Sequence, residues 1–392
     1  MRRILYMAVI ALMPMLVQAQ GDIETVLDVI EHNNTTLKAL RETAGAQKLE
    51  NRTDIFLADP EIGFNYLWGS PSAIGNRKDI SVSQSFDIAT LSGEKSRVAA
   101  KKNEMIDWQY RAERMNLLLE AKQYCIDLIY YNALLKQIGI RLDNAMSLDN
   151  AMKKRLDSGD TSLPEYNNVR LSTASVKCEA ARVTAERDAV VAQLVRLNGG
   201  NPVELTSVGY DTVRTPAAFS EWYKIAEKKN PVLAYVRKDV ELSNRQLSLS
   251  KKMGLPSFSA GYMSEKTTDE YFKGIALGVS VPLWSNRNRV RQARAAVQAA
   301  EARQVDAKLQ FYGNLEVLYH RTLGLKAAAD TYRASLTDTD NTVLLKKAFD
   351  AGEISVADYL MQTAVYYDIV KQALEAEREY QRSCAELYAV EL

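Results

Sequence analysis

Histidine is nearly missing: a chain of 392 residues has only His32 and His320. Each falls in a helical pattern, and neither carries a defensible metal-ligand spacing of Cys, Asp or Glu. No glycine-rich loop leads into Lys-Ser or Lys-Thr, so the phosphate-cradling signature is missing too. Cysteine is scarce and odd in number, Cys125, Cys178 and Cys384. All three sit in helical patterns, which favours buried free thiols over a disulfide framework. Charge of one sign is not in excess, with 50 basic against 49 acidic residues, and no nucleic-acid partner is implied. Together these gaps leave no enzyme reading, no cofactor and no resident metal to argue for.

Long hydrophobic runs are also lacking. The opening "MRRILYMAVIALMPMLVQAQ" has Arg2 and Arg3, an apolar run from Ile4 to Val17, and small residues up to Ala19. It reads as a secretory signal, residues 1–19, cut after Ala19. Its loss leaves 48 basic against 49 acidic residues. No later segment approaches the roughly 20 apolar residues of a spanning helix. A membrane crossing would need strands closed into a barrel.

What is present is a duplication. "DSGDTSLPEY" at 157–166 matches "DAGEISVADY" at 350–359, offset by 193. "EHNNTTLKALR" matches "EKKNPVLAYVR", and "PEIGFNY" matches "PSFSAGY", both offset by 196. "VSQSFDIATLSGEKSRVAAKK" corresponds to "VSVPLWSNRNRVRQARAAVQAAEARQ" at 197, Val82 with Val279. The pattern predicts repeat 1 over 20–198, an equatorial link over 199–218 that begins with "GGNP", and repeat 2 over 219–392.

Each repeat is expected to open with a helix, Ile23–Leu57 or Phe219–Met253, ended by Pro60 or Pro256. Two strands of period two follow, about 60–69 with 79–89 and about 256–265 with 272–284. Ile62, Phe64, Tyr66 and Trp68 share one face, and Ile80, Val82 and Phe86 oppose a row of serines. In repeat 2, Val279, Val281, Leu283 and Trp284 form the expected lipid-facing edge, and Ser280 faces a lumen. A soluble sheet packed on a core would show the same alternation.

Thr90–Arg155 and Ser285–Phe349 contain no proline. Leu117, Ala121, Tyr124, Leu128, Tyr131, Leu135, Ile138, Leu142 and Ala145 step 4-3-4-3, a heptad seam. At about 65 residues, such helices would each reach roughly 100 Å. Turns at Gly159 and Gly352 reverse them into hairpin tips. Four strands cannot close a barrel, because single-chain barrels begin at about eight. Three copies would supply twelve.

These residues resemble the TolC-type outer-membrane efflux family. The likeness rests on the duplicated order, on "GVSVPLW…RNRVRQARAAV", on "VSQSFD…GEKSRVAA" and on the tip "AGEISVADYL". It implies a mainly α fold with a membrane β-barrel part, made as a homotrimer with a twelve-stranded barrel in outer-membrane lipid and a periplasmic helical tunnel. The implied function is the passive exit duct of a tripartite system, with a periplasmic adaptor (membrane fusion protein) and an inner-membrane pump of the RND type as partners. A type I protein-secretion duct and a periplasmic coiled-coil scaffold are the alternatives. "ISVSQSFDIATLSGEKSRVAA" is similar to the heavy-metal-efflux (CzcC- and CusC-like) branch, but Ser92-Gly93-Glu94-Lys95 departs from that branch's turn, and no lipid-bearing Cys stands at the cut.

The family pattern assigns the adaptor-docking tips to Gly159, Ser162, Gly352 and Ser355. It puts an acid at the periplasmic gate where this chain has Asp358 and Glu165. Closely spaced carboxylates there would favour cations, while acids at a helix start also suit its dipole. Phe349 and Ile354 replace a Tyr and an Arg that close the family's gate, which makes a hydrophobic constriction the expectation.

Overall fold

The computed structural model describes residues 22–284, 286–338 and 342–392. The expected signal segment, 1–19, lies outside them. The chain runs α1 (Ile23–Asn33), α2 (Thr35–Glu50), β1 (Glu61–Leu67), β2 (Arg77–Phe86), α3 (Ile88–Leu91), α4 (Glu94–Asp157) and α5 (Leu163–Leu197). The order then repeats: α6 (Phe219–Lys229), α7 (Pro231–Lys252), β3 (Ser257–Lys266), β4 (Tyr271–Ser280), α8 (Arg289–Asp338), α9 (Thr342–Asp350) and α10 (Val356–Leu387). No helix among the described residues is long and apolar enough to cross a membrane.

The opening helix of each repeat is broken, where one continuous helix was expected. Asn34 separates α1 from α2, and Asn230 separates α6 from α7. Both hold extended backbone, and each side chain accepts the amide hydrogen three residues on, so each starts a new helix. Pro231 at the first position of α7 costs nothing, since that amide has no helical partner. The helices also end earlier than expected, at Glu50 and Lys252; a 3-10 turn over Thr53–Ile55 precedes β1.

The two strand-to-helix passages differ. Asp87 caps α3 by accepting the Thr90 amide hydrogen at 2.7 Å, and Gly93 at φ 71 turns the chain into α4. In repeat 2, Asn286–Asn288 make the turn, and Asn288 takes the left-handed conformation at φ 64. Asparagine tolerates that region better than most residues.

Two compact units are present. The first combines residues up to Asn33 with Ala121–Thr212 and Ala329–Gln381. Its core joins Tyr130, Leu134 and Ile138 of α4 to Val176 and Val183 of α5, with Tyr131, Leu135, Leu142 and Leu374 packed around them. Four residues of the expected seam, Tyr131, Leu135, Ile138 and Leu142, meet here. Cys125 is buried, and burial pushes its thiol up to about 12. Cys178 is exposed instead of buried, because it falls on the outer face of α5. None of the three cysteines forms a disulfide among the described residues. The link is held to this unit by backbone carbonyls: Asn132 donates to Leu205 O at 3.0 Å, and Tyr210 donates to Ile126 O at 2.9 Å. Gly199 is required at the start of the link, since a Cβ there would sit 2.5 Å from Asn33 O.

The second unit combines Asn34–Glu120, Val213–Ala328 and Arg382–Leu392. Trp222, Ala226, Leu315, Tyr319 and Leu387 form its aromatic core. A buried hydroxyl pair, Thr322 and Ser383 at 2.7 Å, ties α8 to α10. Lys101 and Glu104 of α4 interlock with Lys238 and Glu241 of α7. This unit also carries the sheet.

Candidate channel surfaces: the open sheet and the hairpin tips

The sheet is antiparallel, ordered β1-β2-β3-β4, and joins both repeats through β2 and β3. Register aligns the side chains of alternate residues in rows. One face carries Ile62, Val82, Tyr262 and Ile275 in one row. A second row sets Gln84 beside Ala260 and Leu277, and a third sets Phe86 beside Phe258 and Val279. The opposite face is mostly small and polar: Gly63, Ser81, Met263 and Gly274 make one row, and Ser83, Gly261 and Ala276 another.

The apolar face is bare. Ile275 and Leu277 are each 82% exposed and Ile62 is 78% exposed. A soluble sheet would bury this face on a core; here Ile62, Phe64, Ile275, Leu277 and Val279 all stay exposed among the described residues. Among the described residues β1 and β4 also each keep one unpaired edge, which a stable sheet in lipid cannot leave open. The small face is tight at Gly261, where a Cβ would approach Val82 O to 2.4 Å.

Only Val279 of the expected lipid-facing set lies in a strand. β4 stops at Ser280, so Val281, Leu283 and Trp284 belong to the connection into α8. Pro282 has no amide hydrogen to extend the ladder. All three remain exposed.

The tips repeat one construction. Gly159 and Gly352 are left-handed, at φ 81 and φ 76. Asp160 N–H returns to Arg155 O at 2.7 Å, and Glu353 N–H to Ala348 O at 2.9 Å, which closes the ends of α4 and α9 in the same way. Ser162 caps α5, and the Glu165 carboxylate accepts from the Ser162 amide at 3.1 Å, a reciprocal capping box. In the second tip Ser355 accepts from the Asp358 amide at 3.1 Å, and its hydroxyl lies 2.6 Å from the Asp358 carboxylate.

Both candidate gate acids are therefore engaged in their own helix starts. The Thr161 hydroxyl and the Ser162 amide hold Glu165 below the usual carboxylate range. Phe349 stacks on Tyr359 with ring centroids 5.0 Å apart, and Ile354 is half-buried. Burial pushes the Tyr359 hydroxyl up. Sequence reasoning missed Tyr359 as the partner of Phe349, although Tyr166 and Tyr359 match across the repeats. In the first tip Leu156 stands where Phe349 does, and Tyr166 faces the Arg170 guanidinium at 5.7 Å instead. Among the described residues no group of three or more His, Cys, Asp or Glu could hold a metal ion.

A duplicated helix–hairpin–helix chain, with four strands in one open sheet and capped helical tips, has the TolC-type channel fold. The family model described as Outer membrane efflux protein matches the chain over residues 222–390. Alkaline protease secretion protein AprF of Pseudomonas aeruginosa is 22% identical over 307 residues, 72% of this chain and 62% of AprF. The match thus spans less than two thirds of that relative's length. A crystal structure of CusC superposes with a TM-score of 0.78 at 14% identity, over 95% of this chain and 92% of that one. The Campylobacter jejuni CmeC outer membrane channel gives 0.75 at 14% identity, over 94% and 85%. At such identities the structures establish the fold.

Proposed function

We propose that this protein is the outer-membrane duct of a tripartite efflux system, a passive exit channel for solutes delivered by an inner-membrane pump through a periplasmic adaptor. The observation that carries this reading is the bare apolar face of a sheet with two unpaired edges. Three copies, each giving four strands, would satisfy both edges and turn the apolar faces to lipid and the Gly/Ser faces to a lumen. Repeat 1 over 20–198 and repeat 2 over 219–392, joined by 199–218, then supply alternate parts of one wall.

The tips at Gly159, Ser162, Gly352 and Ser355 are the adaptor-docking points, and Glu165, Asp358, Phe349 and Ile354 form the periplasmic gate. The caps fix where the two carboxylates stand, and the Phe349–Tyr359 stack supplies an apolar element beside them. Purification from the outer-membrane fraction in detergent should give a trimer by analytical ultracentrifugation. A monodisperse, water-soluble monomer would overturn the reading.

A second reading keeps the duct and changes the cargo. AprF is named for alkaline protease secretion, so a secreted protein could be the solute. Loss of a secreted protein, with drug and metal tolerance intact, in a strain lacking this chain would favour that cargo.

A further inference from the structure

From Gly274 to Ala300 the chain contains no Asp or Glu, and within it Arg287, Arg289, Arg291 and Arg294 fall in eight residues. All four are exposed. Among the described residues none of the four guanidinium groups forms an ion pair, and the Arg289 guanidinium donates to Met253 Sδ at 3.5 Å. They directly follow Val279, Val281, Leu283 and Trp284, which are exposed as well.

The duplication provides an internal control. At the offset of 197, Arg294 corresponds to Arg97 and Arg291 to Glu94. In repeat 1, Arg97 is paired with Glu94 at 2.7 Å, and Lys95 with Asp87 at 3.3 Å. Repeat 2 replaces the neutralising acid with another cation. The same strand-to-helix passage is thus charge-compensated once and left with four unopposed guanidinium groups once. The positive end of the 50-residue helix α8 lies among them and adds to the same field.

We propose that Arg287, Arg289, Arg291 and Arg294 bind the phosphates of anionic phospholipid headgroups in the membrane leaflet that borders the sheet at Trp284. The proposal rests on the barrel reading above. An apolar strand end, then a tryptophan, then arginines is the order of a membrane interface: hydrocarbon, boundary, headgroup. Arginine suits the role because its planar fork matches phosphate in a bidentate manner. Basic residues beside an anionic leaflet each add to the attraction. Lipid phosphate supplies the counter-charge that repeat 1 takes from Glu94 and Asp87.

The test reconstitutes the full chain into phosphatidylcholine vesicles doped with either brominated phosphatidylglycerol or brominated phosphatidylcholine, and reads tryptophan quenching, with Trp284→Phe isolating the Trp284 signal. Wild type should be quenched more by the anionic lipid, and high salt should weaken that preference. R287Q/R289Q/R291Q/R294Q should reduce the preference by about tenfold or more. The fourfold lysine variant keeps the charge and should keep most of the preference, which separates binding from folding. K95Q/R97Q, in the compensated passage, should leave it unchanged. Equal quenching by both lipids in wild type, or an undiminished preference in the fourfold glutamine variant, would overturn the proposal. Failure to enter neutral vesicles at all would overturn the barrel reading and this inference with it, whereas insertion without lipid preference would overturn this inference alone.

Discussion

Asn34 and Asn230 stand 196 residues apart and cap their helices identically. Each side-chain oxygen accepts a backbone amide hydrogen three residues on, from Leu37 at 2.8 Å and from Leu233 at 2.9 Å. Both asparagines are buried. The duplication therefore preserves a helix break as well as the helices. Asn34→Ala and Asn230→Ala should each cost about 1 kcal/mol of stability, measured by denaturant unfolding in detergent. No change in either variant would mean that tertiary packing alone sets the breaks.

The charged cluster between α4 and α7 gives a pH dependence. Lys101 and Lys238 hydrogen-bond Glu104 and Glu241 and hold both carboxyls below their ordinary value of 4.5. The same bonds raise both lysines above 10.5. Burial alone would raise Glu94, but bonds from Lys252 and Arg97 outweigh it and lower it. Depressed carboxyls stabilise the fold above their unfolded value and lose that contribution as pH falls through the folded one. Raised lysines stabilise below 10.5 and lose it as pH rises further. Stability should thus fall as pH drops below 4.5, and Glu104→Gln with Glu241→Gln should flatten that fall. A thermal-melting series over acid pH checks it; an equally steep fall in the double variant would contradict it.

The sheet forecasts an asymmetry between its faces. Leu277 is on the bare apolar face, and Leu277→Arg should cost roughly 2–4 kcal/mol if it sits near the bilayer middle. Ser280→Arg, on the small face at the strand end, should cost far less. Urea unfolding in micelles or vesicles compares them, and equal losses would cancel the assignment of faces.

The gate acids have a local role that is visible and a pore role that is proposed. Neutralising a cap acid costs about 0.3–1 kcal/mol, so Asp358→Asn with Glu165→Gln should leave the protein folded. If the six carboxylates of a trimer line the mouth, the double variant should lose cation preference and block by multivalent cations. Unchanged selectivity would confine both residues to their caps.

The duplication, the strands and the tips are legible in the sequence because each has a strong local period. Ile62, Phe64 and Val82 alternate with small residues, and alternation is a direct record of two unlike faces. The end of β4 is not legible, since Val281 and Leu283 continue the alternation past Pro282, while the ladder ends at the Ser257–Ser280 pair with a proline just beyond it on each strand. The breaks at Asn34 and Asn230 are hidden for a similar reason: apolar residues such as Leu27, Ile30 and Leu37, all buried, recur on both sides of the interruption in the sequence. Ser162 and Glu165 stand in the sequence as a capping box, while the stacking of Phe349 on Tyr359 depends on how the tip folds back. Residue type alone puts Cys178 inside, and the helix face decides otherwise.

Conduction by the assembled chain is the property that a duct must have. Purified protein added to a planar lipid bilayer should insert as discrete, long-lived current steps that scale with salt concentration, and Leu277→Arg should reduce the insertion frequency. Absence of current steps from protein shown to be folded and incorporated in vesicles would contradict a channel.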